Sequence, residues 1–349
     1  MSHFDQNQLQ RILILQSAFL GDVILTLPLL QTVKAHFPEA QVDFLAIPAA
    51  GNILETHRDI TDLIIFDKRG RDRGAGSFLR LMRRLRRKRY DLALIPHRSI
   101  RSALLTAGAG IPRRIGFDRS AGAFLFHQAI PYPAGVHEIN RNLHLLTPFG
   151  VDPQQKVFPR IYFNEADDSA LAEWRRTNSI GENEALIAMA PGSVWATKRW
   201  IPEEFARLAD RLADRYRVVL VGGPADDAVI TEIQQQTKSR PLSAAGQLTP
   251  RQSALLIRGC RLLVSNDSAP MHLAVAVGTP VVAIFGATVP AFGFYPYGDK
   301  DRVVEINGLS CRPCGIHGGQ QCPIGTFECM KGIRAEMVYE AVKDVLNRG

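Results

Sequence analysis

Residues 11–37, RILILQSAFLGDVILTLPLLQTVKAHF, open with a short run that is apolar from Ile12 to Leu15. A run of that length without polar alternation reads as a strand covered on both faces. The turn Ser17–Asp22 follows, and then Val23–Phe37, whose apolar spacing is helical and which ends near Pro38. Working outward, Val42–Ile47, Leu63–Phe66 and Leu92–Ile95 read as further strands, with Phe78–Tyr90 as a basic amphipathic helix before the last. This alternation is the mark of an α/β protein with a parallel, doubly wound sheet.

After residue 130 turns become frequent, and Glu165–Asn178 reads as a helix facing a linker. A second alternating series then runs through Ala185–Ala190, Pro202–Arg215, Val218–Val221, Ala225–Thr237, Pro250–Gly259, Arg261–Val264, Ala269–Val277 and Pro280–Phe285. Ile333–Leu346 is expected to close the chain as a helix. Two Rossmann-like domains are therefore expected, 1–175 and 176–349, with a ligand in a cleft at the carboxyl ends of both sheets. The 349 residues, 46% hydrophobic and 22% charged, suit two ordinary cores and exclude a disordered chain or a disulfide-stapled scaffold. There is no apolar run of about 18 residues. The opening MSHFDQNQLQ has no apolar core of a secretory signal, so a cytoplasmic location is expected.

The net charge of +8 is local. Lys68–Arg89 holds eleven Lys/Arg against Asp72 alone, which leaves the remaining chain slightly acidic. Such a stripe suits one anionic partner, although charge runs are also common on solvated helix faces. Neither a nucleic-acid motif nor aromatic interleaving accompanies it, so no nucleic acid is expected.

The residues just after each strand carry the chemistry. The first turn has Gly21 alone, without G-x-G-x-x-G, and the chain lacks a P-loop and a G-x-S-x-G elbow. Asp22 begins the first helix, either as a dipole-balancing acid or as a general base with a carboxyl raised by burial. In the stretch 190–202, Gly192 permits close backbone approach, Ser193 and Thr197 add hydroxyls, and Lys198 and Arg199 add charge. Those are the parts of a diphosphate site that needs no metal. Asp267 or Ser268 can cap a helix starting at Ala269, with Pro270 in its first turn and His272 one turn in. Gly222-Gly223 and Gly286-Ala287-Thr288 suit backbones that pass close to a nucleotide. Cys311, Cys314, Cys322 and Cys329 cluster around His317, while Cys260 stands apart. Their spacing leaves a structural zinc open beside reduced packing or redox-labile thiols.

Together, Gly21–Pro28, Ala190–Pro202 and Asn266–His272 resemble glycosyltransferase family 9, the ADP-heptose:lipopolysaccharide heptosyltransferases, over nearly the whole chain. The form Pro-Gly-Ser…Thr-Lys-Arg-Trp-Ile-Pro looks more like heptosyltransferase II than I. The resemblance implies a GT-B fold, with the acceptor on the first domain and the nucleotide sugar on the second. It implies inverting transfer of heptose from ADP-heptose without a catalytic metal or other cofactor. Asp22 would be the base, and Lys198 would neutralise the departing diphosphate with Ser193, Thr197 and the helix start at Ser268-Ala269. Asp267 and His272 would also serve the donor. The implied acceptor is Kdo-lipid A or heptosyl-Kdo-lipid A at the inner face of the cytoplasmic membrane. Arg80, Arg83, Arg84, Arg86 and Arg87 would meet acceptor phosphates or anionic headgroups, making the enzyme a peripheral membrane protein. A family member with another donor or acceptor, or a nucleotide-sugar epimerase on the same fold, remains an alternative.

Overall fold

The computed structural model describes residues 9–348, so the reading of the opening Met1–Gln8 lies outside the described residues. The chain forms two compact units, one up to Tyr162 and one from Phe163. The first runs β1 (Arg11–Leu15), α1 (Leu20–His36), β2 (Gln41–Ala46), α2 (Pro48–Leu54), β3 (Asp62–Ile65), α3 (Ala75–Lys88), β4 (Leu92–Ile95), α4 (Ile100–Gly108), β5 (Arg113–Phe117), β6 (Gln128–Ile130) and α5 (Glu138–Leu143). Its strands are all parallel, in the order β3-β2-β1-β4-β5-β6.

Ile12–Leu15 and Leu92–Ile95 are fully buried at the centre of this sheet, which is why both strands read as unbroken apolar runs. Elements α2, α4, β5 and β6 are absent from the sequence reading. RRIGF of β5 has two partly exposed arginines before its buried half, and β6 has three residues, too short for periodicity to register. Helix α3 begins at Ala75 and ends at Lys88, because Arg89 turns into the left-handed region at φ 53°. Tyr90 then plunges inward and donates to the buried Asp43 carboxylate at 2.6 Å, which Lys88 also meets at 2.9 Å. Only Ser77, Leu81 and Leu85 of α3 are buried; its arginines face out.

The second unit runs α6 (Glu165–Thr177), β7 (Leu186–Ala190), α7 (Pro202–Leu212), β8 (Arg217–Leu220), α8 (Asp227–Gln236), β9 (Leu242–Ser243), α9 (Pro250–Arg258), β10 (Cys260–Asn266), α10 (Ala269–Val277), β11 (Val281–Phe285), β12 (Arg302–Glu305), α11 (Glu328–Lys331) and α12 (Ala335–Asn347). The strands are parallel, ordered β12-β11-β10-β7-β8-β9. The order mirrors the first sheet, with the two central strands again buried.

Helix α6, expected to face a linker at the end of the first domain, belongs to the second unit. Its Asp167 is buried and paired with Arg251 of α9 at 2.5 Å, and Trp174 donates to Gln247 at 2.9 Å. The unit therefore begins about a helix earlier than residue 176. Among the described residues no helix is long and apolar enough to cross a membrane.

Candidate active site

Each β1- or β10-type strand ends at the carboxyl edge of its sheet, where helix N-termini also converge. In the first unit α1 starts at Leu20, earlier than the apolar spacing indicates, and so places Gly21 and Asp22 in its first turn. The half-buried Asp22 carboxylate accepts the Phe19 N–H at 3.2 Å, and the Thr26 hydroxyl donates to the Asp22 carbonyl at 2.7 Å. The carboxylate is thus held in place by its own helix start.

The surroundings of this turn come from loops that the sequence reading did not single out. Lys68 donates to the Ser17 carbonyl at 2.5 Å, and the Arg69 guanidinium lies 5.9 Å from the Phe19 ring centre. Ser17 and His97 are hydrogen-bonded at 3.0 Å. Arg98 and Arg141 lie over Tyr132 at 4.5 and 4.6 Å, and Arg141 pairs with the buried Glu138. Burial pushes the Glu138 carboxyl up to about 7 against the pull of Arg141, and the charge of Asp22 adds to the rise. Burial lowers His97 to about 4, helped by the positive charges of Lys68 and Arg98. The Asp22 charge thus reaches Glu138, and the turn before Asp22 is bonded to Lys68 and His97 through Ser17. These residues follow different strands, and short-range spacing cannot bring them together.

In the second unit, the end of β10 and the start of α10 carry a compact polar set. Lys198 meets Asp267 at 2.6 Å, with both side chains largely buried. The Thr288 hydroxyl donates to the same carboxylate at 2.7 Å. Asn266 accepts the Trp200 N–H at 3.0 Å and donates to the Pro191 carbonyl at 2.7 Å, which ties the 190–202 stretch to β10. Trp200 is fully buried and donates its indole N–H to the Ile333 carbonyl at 2.9 Å. That anchor fixes the loop from which Lys198 projects.

Two buried atoms here have no partner in the structure: Ser268 Oγ and His272 Nδ1. Burial holds His272 neutral, down to about 3, with the Lys198 charge contributing. Leaving such atoms unpaired costs about 1–3 kcal/mol each. An oxygen-rich ligand at the N-terminus of α10 would satisfy them, and the positive end of the helix dipole favours negative charge there.

Other expected donor residues are engaged within the protein. The Thr197 hydroxyl exchanges hydrogen bonds with the Gly319 backbone at 3.0 and 2.8 Å, so it holds the cysteine-rich segment in place. Ser193 accepts the Trp195 N–H at 3.3 Å, and Arg199 donates to the Ser193 carbonyl at 2.8 Å. The space left by Gly192 and Gly222 is taken by Asp226, whose carboxylate would lie 2.1 and 2.8 Å from a Cβ at those positions. Gly223 donates to the same carboxylate at 2.9 Å. Ala269 begins α10 as expected.

The α3 arginines lie apart from the Asp22 turn along most of their run. Arg84 and Lys88 reach Asp62 at 3.1 and 2.6 Å, at the amino edge of the sheet. A groove of about 560 Å³ is lined there by Arg11, Arg80, Arg83, Arg84, Arg87 and Lys88. Fourteen residues of helix span about 20 Å, so the end of α3 is far from the carboxyl edge. Arg86 is exposed.

The five cysteines are free thiols. Among the described residues no group of three or more His, Cys, Asp or Glu is arranged to hold a metal, so the zinc left open by spacing has no formed ligand set. Backbone N–H groups, foremost that of Phe327, lower the Cys322 thiol. Burial first and neighbouring cysteines second raise Cys314 and Cys329.

The family model described as "Glycosyltransferase family 9 (heptosyltransferase)" matches residues 78–321. Lipopolysaccharide heptosyltransferase 2 of Salmonella typhimurium is 29% identical over 321 residues, covering 85% of this chain and 88% of that protein. Lipopolysaccharide heptosyltransferase 3 of Escherichia coli is 31% identical over 287 residues, covering 77% and 82%. The solved structure of E. coli ADP-heptose lps heptosyltransferase II matches with a TM-score of 0.79 at 26% identity, covering 97% of this chain and 99% of that one. The two parallel α/β units are those of a GT-B fold.

Proposed function

This chain belongs to glycosyltransferase family 9 and is a glycosyltransferase, and from that premise we propose that it transfers heptose from ADP-heptose to the inner core of lipopolysaccharide, with inversion and without a catalytic metal. The observation that carries the proposal is the α10 start. Lys198, Asp267 and Thr288 form a buried polar set beside the unpartnered Ser268 Oγ and His272 Nδ1. A diphosphate supplies oxygens for such groups and charge for Lys198. The names of the relatives point to heptose and ADP-heptose. Their similar identities of 29% and 31% do not choose between acceptors.

In the proposed reaction an acceptor hydroxyl oxygen attacks the anomeric carbon of the donor while its proton passes to Asp22. The bond from that carbon to the β-phosphate oxygen breaks, and its electron pair leaves on ADP. Lys198 and the positive end of α10 stabilise the charge that develops there, the role often played by a metal ion. Lys68, Arg69 and Arg98 are proposed to hold acidic groups of the acceptor near Asp22, and Arg141 to hold Glu138 behind them. Gly222, Gly223, Thr197 and Arg199 shape the donor loops through internal bonds, and Ser193 and Ala269 place backbone close to the diphosphate.

Release of ADP should require both ADP-heptose and an inner-core acceptor. Faster turnover with a UDP- or GDP-sugar would overturn the donor assignment. Conversion of the nucleotide sugar without any acceptor would favour an epimerase.

A further inference from the structure

The cysteine-rich segment after β12 holds a buried cation with no part in the site described above. Arg312 stands between Cys311 and Pro313, and its side chain is 6% exposed. Its guanidinium donates to the Thr288 carbonyl at 2.7 Å, to the Glu305 carboxylate at 2.8 Å and to the Ile306 carbonyl at 2.5 Å. Its Nε is buried without a partner, so the Nη bonds anchor it. Strands β11 and β12 end side by side, with Phe285 paired to Glu305. Arg312 therefore ties the loop that follows β11 to the end of β12. A planar fork of donors holds such acceptors in one fixed geometry, which an ammonium on a flexible stem does less rigidly.

Thr288 is 2% exposed. Its carbonyl accepts from Arg312, while its hydroxyl donates to Asp267 Oδ2, the same oxygen that Lys198 meets. Beside it, the Ala287 carbonyl accepts the Cys314 N–H at 2.9 Å. Farther along the segment, Gly319 exchanges bonds with Thr197, and the Gln320 amide donates to the Val194 carbonyl at 3.0 Å. One short segment thus grips both the loop that bears Lys198 and the loop that bears Thr288.

We propose that Arg312 is a positioning residue for departure of the diphosphate, acting through Thr288 and Asp267 on Lys198. By fixing the Thr288 backbone, Arg312 aims the hydroxyl at Asp267. That hydroxyl bond satisfies part of the carboxylate, so Lys198 keeps N–H donors and charge for the diphosphate as its bond to the sugar breaks. Without Arg312 the Thr288 loop is released, and Lys198 becomes the chief partner of Asp267 and is drawn toward it. The loss then falls on the transition state, where the leaving charge develops, more than on the bound nucleotide. The inference rests on the reading of Lys198 as the group that meets the leaving phosphate.

Steady-state kinetics on the full chain test it, with kcat counted per ADP-binding site from calorimetric stoichiometry, so that an unfolded fraction does not enter. Arg312→Ala should lower kcat by about 10- to 10²-fold, the scale of a reacting group misplaced from a distance, with ADP affinity unchanged. Arg312→Lys, which keeps a cation able to donate to the Thr288 carbonyl, should recover part of the loss. Thr288→Val should show a comparable fall. Adding Arg312→Ala to it should cost little more, because both changes break one chain of contacts. The same cycle run with Arg312→Lys serves should Arg312→Ala not fold. A parent-like kcat for the Arg312 variants, losses that multiply in the double variant, or a loss confined to KM would each overturn the proposal. Every variant is compared with the parent on whichever nucleotide sugar the parent turns over. A wrong donor assignment then shows in the parent, and a wrong positioning role shows in the ratio.

Discussion

Asp22 accepts the Phe19 N–H through one carboxylate oxygen, a bond that an asparagine amide oxygen also accepts. Asp22→Asn should therefore keep the start of α1 and remove the base. Its kcat is expected to fall by on the order of 10²–10⁴, with ADP-heptose affinity unchanged by calorimetry. A kcat near that of the parent would remove Asp22 from the base role. Lys198→Ala acts differently, because it strips the cation from Asp267, which is 6% exposed, and leaves Thr288 as its remaining partner named above. Both donor affinity and kcat should fall, and a loss confined to KM would argue against charge stabilisation in the transition state. Asp22 and Lys198 are legible in the sequence because each stands beside a strand end. That the Thr197 hydroxyl bonds to Gly319, 122 residues away, was not.

At the scale of elements, α6 shows how one buried pair assigns a helix to a unit. Asn164 accepts the Asp167 N–H at 3.1 Å, and Asp167 accepts the Asn164 N–H at 3.0 Å, so the helix start is closed reciprocally. The same Asp167 carboxylate meets Arg251 of α9. Removing one partner of a buried pair costs about 3–5 kcal/mol, mainly by stranding the other charge. Arg251→Ala should lower the unfolding free energy of the second unit in urea by that amount, and with it the midpoint, and Asp167→Leu combined with Arg251→Met should recover much of it. An unchanged midpoint for Arg251→Ala would show that the pair does not hold α6. The helix itself was legible from its polar pattern. Its membership was not, because a capping box looks the same whichever core the helix joins.

For the molecule as a whole, three buried histidines set the response to acid. Burial lowers His57 and His97 to about 4 and His272 to about 3, from 6.5. The unfolded chain therefore binds these protons at a higher pH than the native one, and stability is lost as pH falls from about 6.5 toward 4. Glu138, raised to about 7 from 4.5, acts in the opposite sense, since the native state binds its proton first. Three groups outweigh one, so the urea midpoint should decrease between pH 6.5 and 4.5, and His57→Gln should flatten the decrease. A midpoint that rose on acidification would contradict this balance. Periodicity and strand-end motifs by themselves determined the two parallel α/β halves, the catalytic candidates and the basic stripe, because covered strands and helix starts leave local signatures. Tertiary structure alone decided that Lys68 and Arg69 flank the turn before Asp22, that Asp226 fills the glycine bay, and that Thr197 is tied to Gly319. Those depend on strand order and helix register, which bring distant residues together and which no local pattern encodes.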